Sequence, residues 1–301
     1  MSTLQKYRNQ TYPSLITALE LIKPITWFPP MWAFLCGAIS TGMLSTKNFD
    51  IVLLGIILAG PVVCGMSQAA NDWCDRHVDA INEPQRPIPS GRMPGKWGLW
   101  IAIGFSIISL LIGWFLGTWG FIATVVGVIC AWIYSAEPIR LKKSGVLGPI
   151  VVGFCYEGLP WFTGAAVLSI GIPKPETITL ALLFAFGAFG IMTLNDFKAV
   201  EGDKRTGIRS LPVTLGEIPA AKIACATMIA PQVVVILLLF FWSLPAYATI
   251  IIIILTLQTF AMRRLLKDPR VFAPWYNGTG VTLYVSGMMI SAIAIASKVI
   301  E

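Results

Sequence analysis

A chain of 301 residues that is 56% hydrophobic and only 12% charged, with a mean hydropathy of +0.75, is not a soluble domain, in which about a quarter of residues are charged. The formal charge of +7 would point to nucleic acid in a soluble protein. Here it reports instead which side of a membrane each loop occupies, and a nucleic-acid partner is not expected.

Taken in chain order, the apolar runs at 51–60, 101–114, 233–242 and 250–255 each lie in a stretch able to cross the roughly 30 Å hydrocarbon core of a bilayer. The pattern predicts an all-α, polytopic membrane protein with nine spans, near 24–44, 50–71, 97–117, 119–134, 146–170, 177–195, 220–243, 245–262 and 276–298. Residues 1–301 read as one transmembrane domain. The first 23 residues lack the basic-then-apolar pattern of a cleaved signal, so the first span is expected to act as the insertion signal. The amino-terminal tail and the loops after spans two, four, six and eight hold 19 of the 22 basic residues, Lys6 and Arg8 among them. Only Lys47, Lys174 and Lys298 fall opposite. The positive-inside rule therefore places the amino terminus and these loops in the cytoplasm and the carboxyl terminus outside. The six cysteines lie mostly inside spans, with no paired spacing, which gives no support to a disulfide or zinc site.

The acids are concentrated in two places. One reads NDWCDRHVDAINEPQRPIPSG over 71–91, the other NDFKAVEGDKRTGIRSLPVTLG over 195–216, and together they hold seven of the fifteen acidic residues. Both begin with Asn-Asp at the end of a span, continue with an aromatic residue and further acids, and close on Arg-x-x-Pro. This repetition at one membrane face points to a single site framed by two copies of a motif. Asn71, Asp75 and Asp79 recur at i, i+4 and i+8 and so share one stripe of a helix leaving the membrane, with Asp72 beside it. Carboxylates stacked this way repel unless cations hold them. Magnesium suits such hard oxygen ligands and characteristically binds through carboxylates together with substrate phosphates. The second stretch supplies Asn195, Asp196, Glu201 and Asp203, with Lys198, Lys204 and Arg205. Acids and bases together at a membrane rim describe a site for a metal-bridged diphosphate.

These stretches resemble the UbiA superfamily of intramembrane prenyltransferases. With YSAEPIRLKKSGVLGP over 134–149 they look like its chlorophyll and bacteriochlorophyll synthase branch, and Cys-Asp-Arg-His at 74–77 points to the bacteriochlorophyll side. The resemblance covers the whole chain and implies a helical bundle around a central cavity, with cytoplasmic Asp-rich loops. It implies transfer of a geranylgeranyl or phytyl group from its diphosphate to the propionate carboxylate of bacteriochlorophyllide, with Mg2+ as cofactor. It further implies a bacterial cytoplasmic or photosynthetic intracytoplasmic membrane, where lipid and pigment-binding or pigment-delivery proteins would be neighbours. Chlorophyllide, an aromatic quinone precursor and a haem vinyl group are the alternative acceptors among relatives. A transporter is a different class, disfavoured because its charges should lie at mid-depth and these lie at one face.

Carried onto this chain, the resemblance makes Asn71, Asp72, Asp75, Asp79, Asn195, Asp196 and Asp203 the metal ligands. Ala199 stands where the second motif should have its middle acid, leaving Asp196 or Glu201 to compensate. Lys23, Arg86, Lys142, Lys198 and Lys204 become the diphosphate contacts, and Tyr134 with Ser135 lies beside the reacting carbon. Glu157 is an acid deep in an apolar span, where carboxyl groups are costly and usually functional, and is expected to line the cavity and touch the tetrapyrrole. His77 is expected to be solvated, and Cys74 has no assigned role. Glycines at 153–164 and 187–190 are expected to let helices approach closely.

Overall fold

The computed structural model describes residues 11–300; Lys6 and Arg8 lie outside the described residues. In chain order the helices are α1 (Leu15–Ile22), α2 (Phe28–Ser40), α3 (Thr46–Asn82), α4 (Trp97–Phe115), α5 (Gly117–Ser135), α6 (Leu147–Ser169) and α7 (Pro175–Asp196). There follow α8 (Val200–Thr206), α9 (Leu211–Leu215), α10 (Glu217–Phe241), α11 (Pro245–Leu265), α12 (Pro269–Gly278) and α13 (Gly280–Ile300). No strand forms among the described residues, whose one sheet-like contact is a single bridge between Ser144 and Arg209.

Eight helices among the described residues are long and apolar enough to cross a membrane, with α12 and α13 counted as one. The ninth expected span, the first in the chain, corresponds to the shorter apolar helix α2. There a 3-10 turn occupies Pro24–Thr26, and α2 has 13 residues. At 1.5 Å per residue α2 reaches about 20 Å, short of the hydrocarbon thickness. Pro29 and Pro30, which lack the N–H a helix interior needs, start it, and Gly42 at φ +68 closes it. The second span runs further than expected. Helix α3 continues past the membrane to Asn82, so the first acidic motif rides on its last turns. A π-turn at Leu58–Cys64, around Pro61, widens it midway.

Helix α1 was not anticipated. Ser14 caps it by accepting from the Thr17 backbone N–H at 3.2 Å. Leu21 and Ile22 are buried while Leu15, Ile16 and Leu19 are exposed, the pattern of a helix lying at a membrane surface with one end docked on the bundle. Lipid offers little hydrophobic drive for helix association, so the bundle depends on close fit. A Cβ on Gly37 of α2 would come within 1.9 Å of Trp161 O on α6, and one on Gly164 of α6 within 2.1 Å of Phe34 O on α2. The glycine pair thus sets the contact between α2 and α6. At the centre, Trp161 stacks on Phe184 at 5.7 Å, and the Tyr284 ring meets Phe184 edge-on. The Tyr284 hydroxyl donates to Phe184 O at 2.7 Å. An apolar crevice between α2, α3, α5 and α6 is lined by Phe34, Leu58, Val63, Gly127 and Leu159, among others. Val63 lies eight residues before Asn71, so the crevice lies about 12 Å deeper along α3 than the acids.

Candidate active site at the Asp-rich rim

The last turns of α3 carry the predicted stripe, and its carboxylates are held by cations from three separate segments. Lys23 Nζ lies 2.6 Å from Asp72 Oδ1. Arg86 Nη1 lies 2.9 Å from Asp79 Oδ2 and 3.4 Å from Asp72 Oδ1, and the same guanidinium contacts Glu83. Asp75 receives Arg140 Nη2 at 2.8 Å and is also paired with Lys142. Asn71 Nδ2 donates to Ser135 Oγ at 3.4 Å, which joins α3 to the end of α5. Asp72 and Asp79 are buried, so unpaired charges there would be strongly unfavourable. Three predicted cations, Lys23, Arg86 and Lys142, are therefore in the site.

Arg140 is a fourth cation that sequence reasoning missed. In the sequence it is one of several bases after span four, indistinguishable from a positive-inside anchor. The backbone is what aims it. Lys23 (φ 45, ψ 74) and Arg140 (φ 42, ψ 62) both adopt the left-handed conformation, which costs a non-glycine residue roughly 1 kcal/mol. Each turn brings its chain back toward the acids of α3, and strain of this kind characteristically collects at functional sites.

The second motif sits where α7 ends and α8 begins. Asp203 is buried, Asp196 half-buried and Asn195 exposed. The charges of Asp196 and Asp203 are close enough to oppose each other. Burial raises the Asp203 carboxyl above its ordinary range. Glu201 is exposed and faces Arg270 at 3.4 Å. Lys198 and Lys204 are exposed and form no ion pair among the described residues, so the structure does not bring these two predicted cations onto the acids.

The second motif is tied to the loop after α5 and to the first motif. The Arg209 N–H donates to Lys143 O at 3.2 Å, and Gly145 packs so tightly here that a Cβ would lie 2.2 Å from Arg209 O. A Cβ at Gly202 would lie 3.7 Å from Asn82 Nδ2 at the end of α3. Tyr134, at the end of α5, lies within electrostatic range of Asp75, Asp196 and Asp203, between the two motifs. Burial of Lys142 lowers its ammonium below the ordinary range, against the opposing pull of Asp75.

Below this rim Gln68 Nε2 donates to the Tyr156 hydroxyl at 3.0 Å, and Cys64 Sγ contacts the same oxygen at 3.3 Å. Tyr156 was not singled out from the sequence. It reaches α3 from a π-turn of α6 at Phe154–Gly158, which helical periodicity does not reveal. The same turn carries Glu157. Its side chain is buried, with Oε2 lacking a hydrogen-bond partner. It sits in electrostatic range of Cys36 and Tyr284 and does not line the crevice, whose α6 wall is Cys155, Leu159, Pro160 and Thr163. His77 is exposed, as expected.

The donor set fits magnesium in kind: Asn and Asp oxygens alone, with Asp72 Oδ2 buried and unpartnered. It is not a preformed cage, since no group of three or more His, Cys, Asp or Glu residues among the described ones is arranged to hold a metal. Magnesium would enter by sharing or displacing the lysine and arginine contacts. What the arrangement can do chemically is gather the charge of a diphosphate at the membrane rim.

Residues 26–287 match the UbiA prenyltransferase family. The chain is 62% identical over 295 residues to the bacteriochlorophyll synthase 33 kDa chain of Cereibacter sphaeroides, covering 98% of each. It is 35% identical to the chloroplastic chlorophyll synthase of Oryza sativa, covering 92% of this chain and 76% of the other. Its fold matches that of a UbiA homolog from Archaeoglobus fulgidus, solved with GPP and Mg2+, at a TM-score of 0.69 and 20% identity, covering 93% and 99% of the two chains. The chain belongs to the UbiA prenyltransferase family. It is an integral, multi-pass membrane prenyltransferase.

Proposed function

We propose that this chain transfers a geranylgeranyl or phytyl group from its diphosphate to the propionate carboxylate of bacteriochlorophyllide. The observation that carries the acceptor is the 62% identity, end to end, with the bacteriochlorophyll synthase chain of Cereibacter sphaeroides, against 35% with the rice chlorophyll synthase. The chemistry agrees. A propionic acid with a pKa of about 4.3 is already an anion near neutral pH, so the acceptor needs no general base. A propionate oxygen forms the new bond to C1 of the prenyl group while the C1–O bond to diphosphate breaks, and diphosphate leaves with that electron pair.

Magnesium, held by Asn71, Asp72, Asp75 and Asp79 with Asn195, Asp196 and Asp203, would supply Lewis-acid stabilisation of the leaving diphosphate. The other work falls to the chain. Lys23, Arg86 and Lys142 reach the acidic rim directly, and Lys198 and Lys204 stand on the second loop, free to turn toward a bound anion. Tyr134 and Ser135 lie between the motifs, where the Tyr134 π-face would steady an allylic cation. The apolar bundle below the rim would keep water away from the allylic cation. The loops are assigned to the cytoplasm and the carboxyl terminus to the outside, in the cytoplasmic or photosynthetic intracytoplasmic membrane, on the distribution of lysine and arginine.

The test is an assay of purified protein with magnesium and geranylgeranyl diphosphate, offering bacteriochlorophyllide, chlorophyllide and 4-hydroxybenzoate separately. Esterified bacteriochlorophyllide is the expected product. A preference for chlorophyllide would move the reading to the sister reaction, and prenylation of the benzoate alone would overturn the acceptor class.

A further inference from the structure

The π-turns of α3 and α6 touch. Cys64 closes the turn at Leu58–Cys64 and Tyr156 lies in the turn at Phe154–Gly158, with Cys64 Sγ 3.3 Å from the Tyr156 hydroxyl. Such turns interrupt a regular helix and often mark functional sites. Gln68 Nε2 donates to the same hydroxyl at 3.0 Å and so fixes its position. With the Cys64 thiol directed at Thr26 O, 3.4 Å away, the hydroxyl proton has only a thiol sulfur to go to, a weak acceptor. Gln68 and Tyr156 are both half-buried, so part of each is reachable. Gln68 lies four residues before Asp72 and seven before Asp75, and therefore continues the acidic stripe of α3 one to two turns deeper into the membrane. The stripe changes character as it descends, from carboxylates matched by cations to an amide, a phenol and a thiol. Among the described residues, no charged side chain hydrogen-bonds to Cys64, Gln68 or Tyr156. Tyr134 lies in electrostatic range of both Asp75 and Tyr156, which links the rim to this neutral pair.

From this arrangement we infer that Tyr156, its hydroxyl set by Gln68, is the acceptor-binding residue that holds the propionate carboxylate of the tetrapyrrole. The inference rests on the reaction proposed above. A diphosphate carries several charges and needs cations, whereas a single carboxylate is well held by neutral donors. One propionate oxygen replaces the Cys64 sulfur as acceptor of the Tyr156 proton, exchanging a weak hydrogen bond for a charge-assisted one. The other oxygen attacks C1 of the prenyl group; the C1–O bond to diphosphate breaks, and diphosphate leaves toward the rim with that electron pair. The proton stays on Tyr156 throughout, because the acceptor is already an anion. An attacking oxygen approaches C1 from the side away from the leaving group, and the neutral pair lies on that side of the rim. Neutral donors also suit a nucleophile, since they orient it without the tight ion pair that a lysine or arginine there would form.

The experiment compares wild type with Tyr156→Phe, both purified in detergent, in steady-state assays with geranylgeranyl diphosphate and bacteriochlorophyllide. The methyl ester of bacteriochlorophyllide, which has no carboxylate, serves as a competitive probe. Tyr156→Phe should raise KM for bacteriochlorophyllide about tenfold or more, as loss of a hydrogen bond to a charged group does, and leave KM for geranylgeranyl diphosphate unchanged. The inhibition constant of the methyl ester should be the same in both proteins. Gln68→Leu, which leaves the hydroxyl unanchored, should raise the acceptor KM by a smaller factor. Unchanged acceptor KM in Tyr156→Phe would overturn the inference, as would an equal loss for the methyl ester, which would move the contact to another group of the ring. A rise in both substrates' KM values would also overturn it and reduce Tyr156 to a brace between α3 and α6. In the wild type alone, a comparison that needs no variant to fold, the free acid should bind about tenfold more tightly than its methyl ester, and equal affinity would overturn the carboxylate assignment. Wild-type protein that esterifies no bacteriochlorophyllide would overturn the proposed reaction itself and this inference with it.

Discussion

Arg86 places one guanidinium nitrogen, Nη1, within 2.9 Å of Asp79 Oδ2 and 3.4 Å of Asp72 Oδ1, so a residue from the loop after α3 bridges two carboxylates seven positions apart on the helix. Both acids are buried, and neither can stay ionised there without a partner. The loop and the helix therefore hold each other, and the acidic rim is assembled before a substrate arrives.

Removing that bridge should damage fold and activity together. Arg86→Ala is expected to lower stability in detergent by about 2 kcal/mol, the usual worth of a hydrogen bond to a charged group, and to reduce turnover at least roughly 100-fold. Arg86→Lys should recover much of the stability but less of the turnover, since a single ammonium cannot hold Asp72 and Asp79 through one nitrogen and Glu83 through another as the guanidinium does. Melting temperature and initial rate measured on the same preparations separate the two effects. Equal recovery of both by lysine would reduce Arg86 to a structural brace.

Asp75 and Asp79 should behave differently from Arg86. Asp75→Ala frees Arg140 and Lys142 from a partner, but both lie at the rim and Arg140 keeps its pairing with Glu137; the protein should stay folded while turnover falls below about 1% of wild type. Asp79→Ala should lose turnover equally, and a magnesium chelator should abolish activity in the wild type. Size-exclusion profiles check folding and product chromatography checks turnover. Full activity in either variant would remove the metal assignment.

The loop carrying Arg140 and Lys142 is positioned by a backbone contact that a single methyl should disrupt. A Cβ at Gly145 would meet Arg209 O at 2.2 Å and Leu211 N at 2.9 Å, and backbone cannot step aside as a flexible side chain can. Gly145→Ala is expected to cost about 1–3 kcal/mol, the range for forced overpacking, and to weaken diphosphate binding by pulling the two cations away from Asp75. Thermal melting and substrate affinity measure each part. A variant with wild-type affinity would show that the loop is held by other means.

The periodicity of three and four residues makes the acidic stripe readable, because Asn71, Asp75 and Asp79 sit on a helix whose face any sequence discloses. Lys23, Arg86 and Lys142 were readable as basic residues next to that stripe. Arg140 was not, because its aim depends on a left-handed backbone that no residue type marks when glycine is absent. Tyr156 was overlooked for a related reason. The π-turn at Phe154–Gly158 shifts which side of α6 each residue faces, so a regular helix read from the sequence overlooks Tyr156. The helical part of the first span is shorter than its apolar length, because hydropathy does not show where Pro24, Pro29 and Gly42 start and stop a helix.

Asp203 supplies a pH signature for the second motif. Burial raises its carboxyl above the ordinary value of 3.8, so between the two values the folded chain keeps a proton that the unfolded chain has released. Stability associated with that proton is present at low pH and is lost as pH rises through the window. Asp203→Asn cannot ionise, and is expected to be more stable than the wild type near neutral pH, with the advantage shrinking toward about pH 4. Magnesium together with a prenyl thiolodiphosphate should reverse the ranking, because a cation held at the carboxylate favours its charged form and stabilises only the protein that binds it. Melting curves in detergent across this range, with and without the two ligands, give the comparison. A ligand-induced rise in melting temperature that is the same in both proteins would place Asp203 outside the metal site and leave Asp196 to carry the second motif.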